Sequence, residues 1–170
     1  MVDTRIEVGA MAGVAINPNV GGQANAPLGV EASVSVLGPL SIEGGLAHVF
    51  VHDDATRAGN LGWKLGLKVG SMVIGNGEKG FSLVGSIGYK GMLLRRQETI
   101  RANDMGFNSV NAEIDDISVD YSTIRHGAYV SGMISMSLGK NFAIGIGPEM
   151  AIYSHLIPEM GAKAMLGYRF

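Results

Sequence analysis

Apolar residues recur at every second position through one segment after another of this chain, and that rhythm limits what it can become. In the stretch Gly161 to Phe170, Ala162, Ala164, Leu166, Tyr168 and Phe170 alternate with Gly161, Lys163, Met165, Gly167 and Arg169. Successive side chains point to opposite faces only in a β-strand, so a period of two predicts a strand with one greasy and one polar face. The same pattern sets Ile6, Val8, Ala10, Ala12, Val14 and Ile16 against Arg5, Glu7, Gly9, Met11, Gly13 and Ala15, giving a first strand over Thr4 to Ile16. It returns over Leu28 to Val36, Leu40 to Val51, Leu61 to Gly70, Phe81 to Leu93, Ala128 to Leu138 and Phe142 to Ile152. Two places disturb it. Gly44-Gly45 blurs the phase of the third strand and Pro148 removes a ladder donor from the seventh, so a bulge is expected at each.

Eight such strands with their connections fill a single domain spanning residues 1–170. Charged residues are 16% of the chain and hydrophobic ones 46%. No apolar run approaches the ~18 residues of a membrane-spanning helix, so the apolar content is spread along strands. The polar face is mostly Gly, Ser and Ala, a poor exterior for a soluble protein. If the greasy face turned inward, the chain would be a soluble lipocalin-like ligand-binding barrel, and Tyr168 and Phe170 at the chain end would have no explanation. If it turns outward it meets lipid, which predicts an all-β, eight-stranded, antiparallel up-and-down transmembrane β-barrel. The absence of cysteine excludes disulfides and Cys-ligated metal, and no cofactor is expected. A net charge of −2 gives no footprint for nucleic acid. No signal peptide opens the sequence, so export is expected through the fold alone.

The connections alternate in length. Gly38-Pro39, Gly75 to Gly80 with its Asn76-Gly77 hairpin signal, and Gly139-Lys140-Asn141 are short. Asn17 to Pro27, Asp53 to Asn60, the 32-residue excursion Arg95 to His126, and Ser154 to Glu159 are longer. Short turns on one side and long loops on the other match periplasmic and extracellular ends, with both termini periplasmic. Trp63, Phe81, Phe142, Tyr168 and Phe170 fall on the greasy face near strand ends, where an interfacial aromatic girdle sits. On these features, and on its aromatic terminus above all, the chain resembles small bacterial outer-membrane β-barrels of the OmpA membrane domain and OmpX class. The resemblance implies a place in the outer membrane beside lipid and lipopolysaccharide. It also implies a C-terminal strand read by the barrel assembly machinery, and a structural or adhesion-type role through extracellular loops, chiefly 95–126, whose binding partner the sequence does not name.

With the greasy face outward, the lumen receives Arg5, Glu7, Glu31, Glu43, Lys64, Lys68, Lys90, Glu149, Lys163 and Arg169. Unpaired, each such charge costs several kcal/mol, so these are expected to interlock as a plug, with Glu149 near Lys163 and Glu31 near Lys68. Met11, Met92, Met133 and Met165 share that face as gap fillers. A lipid-modifying enzyme, such as a lipid A deacylase, is the alternative. Tyr153-Ser154-His155 with Glu149 or Glu159 carries hydrolytic residue types. Adjacent strand residues face apart, however, and the deacylase arrangement of His and Ser two apart on one strand is missing, so no enzyme is expected. His126 with Ser122, and His52 with Asp53 and Asp54, read as loop residues. The acids Glu113, Asp115, Asp116 and Asp120 lack the spacing of a calcium loop.

Overall fold

A computed structural model describes residues 5–17, 23–51, 60–76, 79–100, 117–154 and 157–170. They form eight strands: β1 (Ile6–Asn17), β2 (Gln23–Leu37), β3 (Leu40–Val51), β4 (Asn60–Asn76), β5 (Lys79–Ile100), β6 (Ile117–Leu138), β7 (Phe142–Tyr153) and β8 (Ile157–Arg169). Each pairs antiparallel with its sequence neighbours, and β8 returns to β1, closing the barrel. Closure follows from the ladder: Glu7 lies opposite Arg169 and Ile16 opposite Met160, so the first and last strands have no free edge between them.

The faces are inverted relative to a soluble protein. Leu65, Ile87 and Ile146 are 61%, 62% and 65% exposed, whereas Glu43, Lys64 and Lys163 are at most 7% exposed. Leu, Ile and Val cover the outside on every strand while acids, lysines and serines are buried within. A lipocalin-like barrel would turn these faces the other way, so the soluble alternative is excluded. The outer apolar surface is a membrane belt.

Several boundaries differ from the sequence reading. The stretch Asn17 to Pro27 is not all connection, because Gln23–Pro27 already pairs within the barrel, opposite β1 and β3. Pro27 is tolerated without breaking the register. β4 runs on to Asn76, past the clean alternation that ends at Gly70. The largest difference lies in the 32-residue excursion. Its two arms are strands, paired from Arg95↔Ser122 up to Ile100↔Ile117. Among the described residues β4 pairs with β5 as far as Leu61↔Leu93, and β6 with β7 as far as Gly127↔Tyr153, so these arms form a two-stranded ribbon beyond the rim. The closing link is likewise shorter than Ser154 to Glu159, since β8 begins at Ile157.

Neither expected bulge occurs. Gly44 and Gly45 keep register with Ala32 and Glu31, and Pro148 stays opposite Ala162. The β6–β7 ladder is interrupted beside Pro148, between Ser131↔Glu149 and Ile134↔Ile146, but its register is the same on both sides of the gap. The irregularities fall instead near the short turns, at Ser35/Leu37 and Met72/Ile74. Two of those turns use Gly38 and Gly139 at φ of 54° and 82°, a region side chains avoid.

At the turn rim the chain end is locked in place. The Phe170 amide donates to the Ile6 carbonyl at 2.9 Å, and Tyr168 stacks edge-on against both Phe142 and Phe170, at 5.0 and 4.9 Å between centroids. Each such ring pair contributes about 0.5–1.5 kcal/mol. Tyr168→Ala removes both, so its detergent-refolded barrel is expected to unfold about 1–3 kcal/mol more easily in a urea titration, with Ile6→Ala closer to wild type. Equal losses in the two variants would show that the aromatic cluster does not secure the seam.

Candidate functional site in the barrel lumen

The lumen holds its charge in two layers. The layer toward the long connections is built by Glu31 on β2, Glu43 on β3, Lys64 on β4, Lys90 on β5, Glu149 on β7, and Glu159 and Lys163 on β8. Glu149 sits among three ammonium groups, at 2.8 Å from Lys90, 3.5 Å from Lys163 and 3.9 Å from Lys64. Lys64 in turn lies 2.5 Å from Glu31 and 3.7 Å from Glu43, over the Tyr129 ring at 5.3 Å from its centroid. Its ammonium is surrounded by carboxylates, yet none of these contacts is directed along a hydrogen-bond axis. Lys163 reaches Glu31 at 3.4 Å, and Lys90 reaches Glu159 at 2.8 Å. The layer toward the short turns is smaller: Glu7 accepts from Lys68 at 3.1 Å and from the Arg169 Nε at 2.8 Å. Lys68 also donates to Ser33 and Arg169 to Ser137.

Glycine makes room for this. Glu31 stands opposite Gly9 and Gly45, Glu43 opposite Gly66, Lys90 opposite Gly127, Glu149 opposite Gly161, and Lys163 opposite Gly13 and Gly147. A long charged side chain on one strand occupies the space that its neighbour leaves empty, which accounts for many of the 26 glycines. The tightest case runs across four strands at one height, Glu43, Gly66, Gly88 and Tyr129. Tyr129 lies over Gly66 and donates its hydroxyl to Glu43 at 2.5 Å. A side chain on Gly66 would collide with that hydroxyl.

The lumen positions named from the sequence are thus placed as follows. Glu149 meets Lys163, but Glu31 meets Lys64 and Lys163 while Lys68 meets Glu7. Arg5 precedes β1 and is exposed at the turn rim, lining a cavity there instead of the buried network. Sequence reasoning overlooked Tyr129 and Tyr153, both buried, and Glu159, which it left in a connection. Counting the alternation back from Phe170 through Lys163 and Gly161 puts Glu159 on the lumen face, so that signal was present. Nothing in the sequence marks Tyr129 as a bridge to Glu43, because the contact depends on register across β4 and β5.

On the outer face, Phe142, Tyr168 and Phe170 gather at the turn rim with Phe81 on β5. Trp63 lies flat across Gly91 of β5 nearer the long connections, where Phe50 and Tyr89 are also outward. His48 faces out beside Phe50 at 4.5 Å, and the Tyr89 hydroxyl bonds to His126 Nδ1. Ser154 is exposed in a turn after β7, its amide donating to the His126 carbonyl, and His155 lies outside the described residues. His52, Asp53, Asp54, Glu113, Asp115 and Asp116 also lie outside them, as does the Asp120 side chain. Among the described residues no group of three metal-ligating side chains comes together.

Removing the most connected acid tests the network. Glu149→Gln leaves three lysines short of a partner and is expected to destabilise the folded barrel by about 3–5 kcal/mol, the range for breaking a buried pair. Tyr129→Phe strips one hydrogen bond from Glu43 and should cost less, about 1.5–3 kcal/mol. Denaturant midpoints of the two variants check the order; a neutral Glu149→Gln would mean that the layer is hydrated and weakly coupled.

No protein-family model matches the chain, and no curated protein matches it in sequence. Solved structures do match in fold. The N-terminal β-barrel domain of Pseudomonas aeruginosa OprF superposes with a TM-score of 0.65 at 11% identity, covering 98% of this chain and 97% of that one. Ail, the attachment invasion locus protein of Yersinia pestis, does so at 0.59 and 12%, with coverage of 98% and 97%. Neisserial surface protein A does so at 0.52 and 10%, with coverage of 98% and 95%. The fold is therefore that of small eight-stranded outer-membrane barrels. With its apolar belt, this chain is a transmembrane protein of the bacterial outer membrane.

Proposed function

We propose that this protein is a surface-interaction barrel, a non-conducting anchor that presents the ribbon of β5 and β6 outside the cell. The ribbon itself is the observation that carries the reading. β5 and β6 have 22 residues each against 12 for β1, β3 and β7. The extra length serves neither the membrane belt nor the lumen, and segments displayed on a rigid scaffold are where binding residues concentrate. In sequence the ribbon carries Arg95, Arg96 and Glu98 on one arm and Asp120 on the other. The similarity in fold to Ail, a protein named for attachment and invasion, supports the same direction. The two-layered charge network supports the anchor half of the reading, since interlocked side chains fill the bore instead of leaving a path for ions. Among the described residues its interior hydroxyls and charges are tied to one another, Lys68 to Ser33 and Tyr129 to Glu43, with no Ser-His-acid arrangement, which favours an interaction role over lipid hydrolysis. Lipid and lipopolysaccharide surround the belt in this reading. The C-terminal strand engages the assembly machinery, and the ribbon meets a partner of the cell exterior.

Joining Leu94 directly to a short turn before Thr123 removes the ribbon and leaves the barrel ladder intact. Cells expressing that variant should retain the heat-modifiable barrel on unboiled gels while losing attachment to surfaces and to host cells. Undiminished attachment would defeat the proposal. Trypsin added to intact cells should cut at Arg95, Arg96 or Arg101, and cleavage only after permeabilisation would mean that the orientation is reversed. In planar bilayers the wild type should be nearly silent.

A further inference from the structure

At the turn rim the lumen is open, and Glu7, Lys68 and Arg169 of the smaller charge layer line the space. A cavity of about 610 Å³ lies there, within the size range of small-molecule sites. Its charged lining is Arg5, Lys68 and Arg169 against the single acid Glu7, so bases exceed acids three to one among the described residues. The remaining polar lining is hydroxyl: Ser33, Ser35 and Ser41 from β2 and β3, Ser82 from β5 and Ser135 from β6. On the side of β1 to β4, the gap between Glu7 and Lys68 below and Glu31 and Glu43 above leaves no room for a water molecule. The layer beyond has the opposite balance, with Glu31, Glu43, Glu149 and Glu159 outnumbering Lys64, Lys90 and Lys163. An anion entering from the turn side is attracted as far as Lys68 and Arg169 and turned back by the acids behind them.

From this geometry we infer that the turn-side vestibule is a binding site for a small, hydroxyl-bearing anion of the periplasm, of the size and chemistry of a sugar phosphate. Lys68 and Arg169 share one carboxylate, so each has donors directed elsewhere, already toward the hydroxyls of Ser33 and Ser137. Those hydroxyls can turn to donate to phosphate oxygens or accept from sugar hydroxyls. Charge-assisted hydrogen bonds from both cations would hold the phosphate, and the serine wall would recognise the polyol. The site is separate from the ribbon, and occupancy at one does not require the other.

Calorimetric titration of the detergent-refolded barrel tests this with three probes: glucose 6-phosphate, inorganic phosphate and glucose. Saturable binding is expected for the first, weaker binding for the second and none for the third, with affinity falling as sodium chloride rises. Lys68→Gln, which leaves Glu7 paired to Arg169, should weaken glucose 6-phosphate binding about tenfold or more. Should that variant not refold, Ser135→Leu fills the cavity without touching a charge and should abolish binding. The variant lacking the ribbon should bind like wild type. Absence of saturable binding to either phosphate, equal binding of glucose, or full affinity in Ser135→Leu would each overturn the inference.

Discussion

Backbone hydrogen bonding has no alternative partner inside a lipid bilayer, and every other feature of this molecule follows from that. An N–H or C=O left facing hydrocarbon costs several kcal/mol, so a sheet that enters the membrane must have no edge there. Pairing of β8 with β1 removes the edge. Once the sheet is closed, alternation splits the side chains into a lipid set and a lumen set, and an eight-stranded lumen is too narrow to be left as bulk water. The acids and lysines on the inner face must therefore find one another. Where pairing stops short of a neighbour, as along the β5–β6 ribbon and at the end of β4 after Val69, the strands lie at or beyond the rims, where water is available.

The charge layers show how such an interior is tolerated. Each buried ion loses hydration on folding, and a single partner seldom repays that loss. Here the charges are shared: Glu149 serves three lysines, Lys64 three glutamates, and Glu7 two bases. The rigidity of strands keeps those positions fixed, and the opposing glycines supply the volume. The imbalance between the layers then gives the bore a direction, basic toward the turns and acidic toward the loops, which a uniformly plugged barrel would lack.

Fold class was legible because a period of two and an aromatic terminus depend only on the chain's own order. The inside and outside sets were legible for the same reason, down to residues such as Glu43 and Lys163. Heights were not. Glu31 was matched to Lys68 because counting along strands ignores the stagger of a closed barrel, which instead brings Glu31 to Lys64 and leaves Lys68 to Glu7. The ribbon was taken for a loop because charge and polarity on both faces erase the alternation once a strand leaves the membrane, although its ladder continues to Ile100↔Ile117. Pro148 misled in the other direction: its missing donor leaves a short gap in the β6–β7 ladder without shifting the register, so no bulge is needed.

The row of Glu43, Gly66, Gly88 and Tyr129 binds four strands into one heritable unit. Glu43 needs the phenol, the phenol needs Gly66 beneath it, and Gly88 lies so close to the backbone of Leu65 and Gly66 that a side chain there would collide with it. A change at any one position is harmful until the others have changed with it, so drift cannot pass through this row one substitution at a time. Around it, Leu on the outer face could be replaced by Ile or Val at little cost, because lipid asks only that a residue be apolar. Divergence in such a barrel is thus uneven: fast on the skin, slow along the few lines where side chains cross the bore.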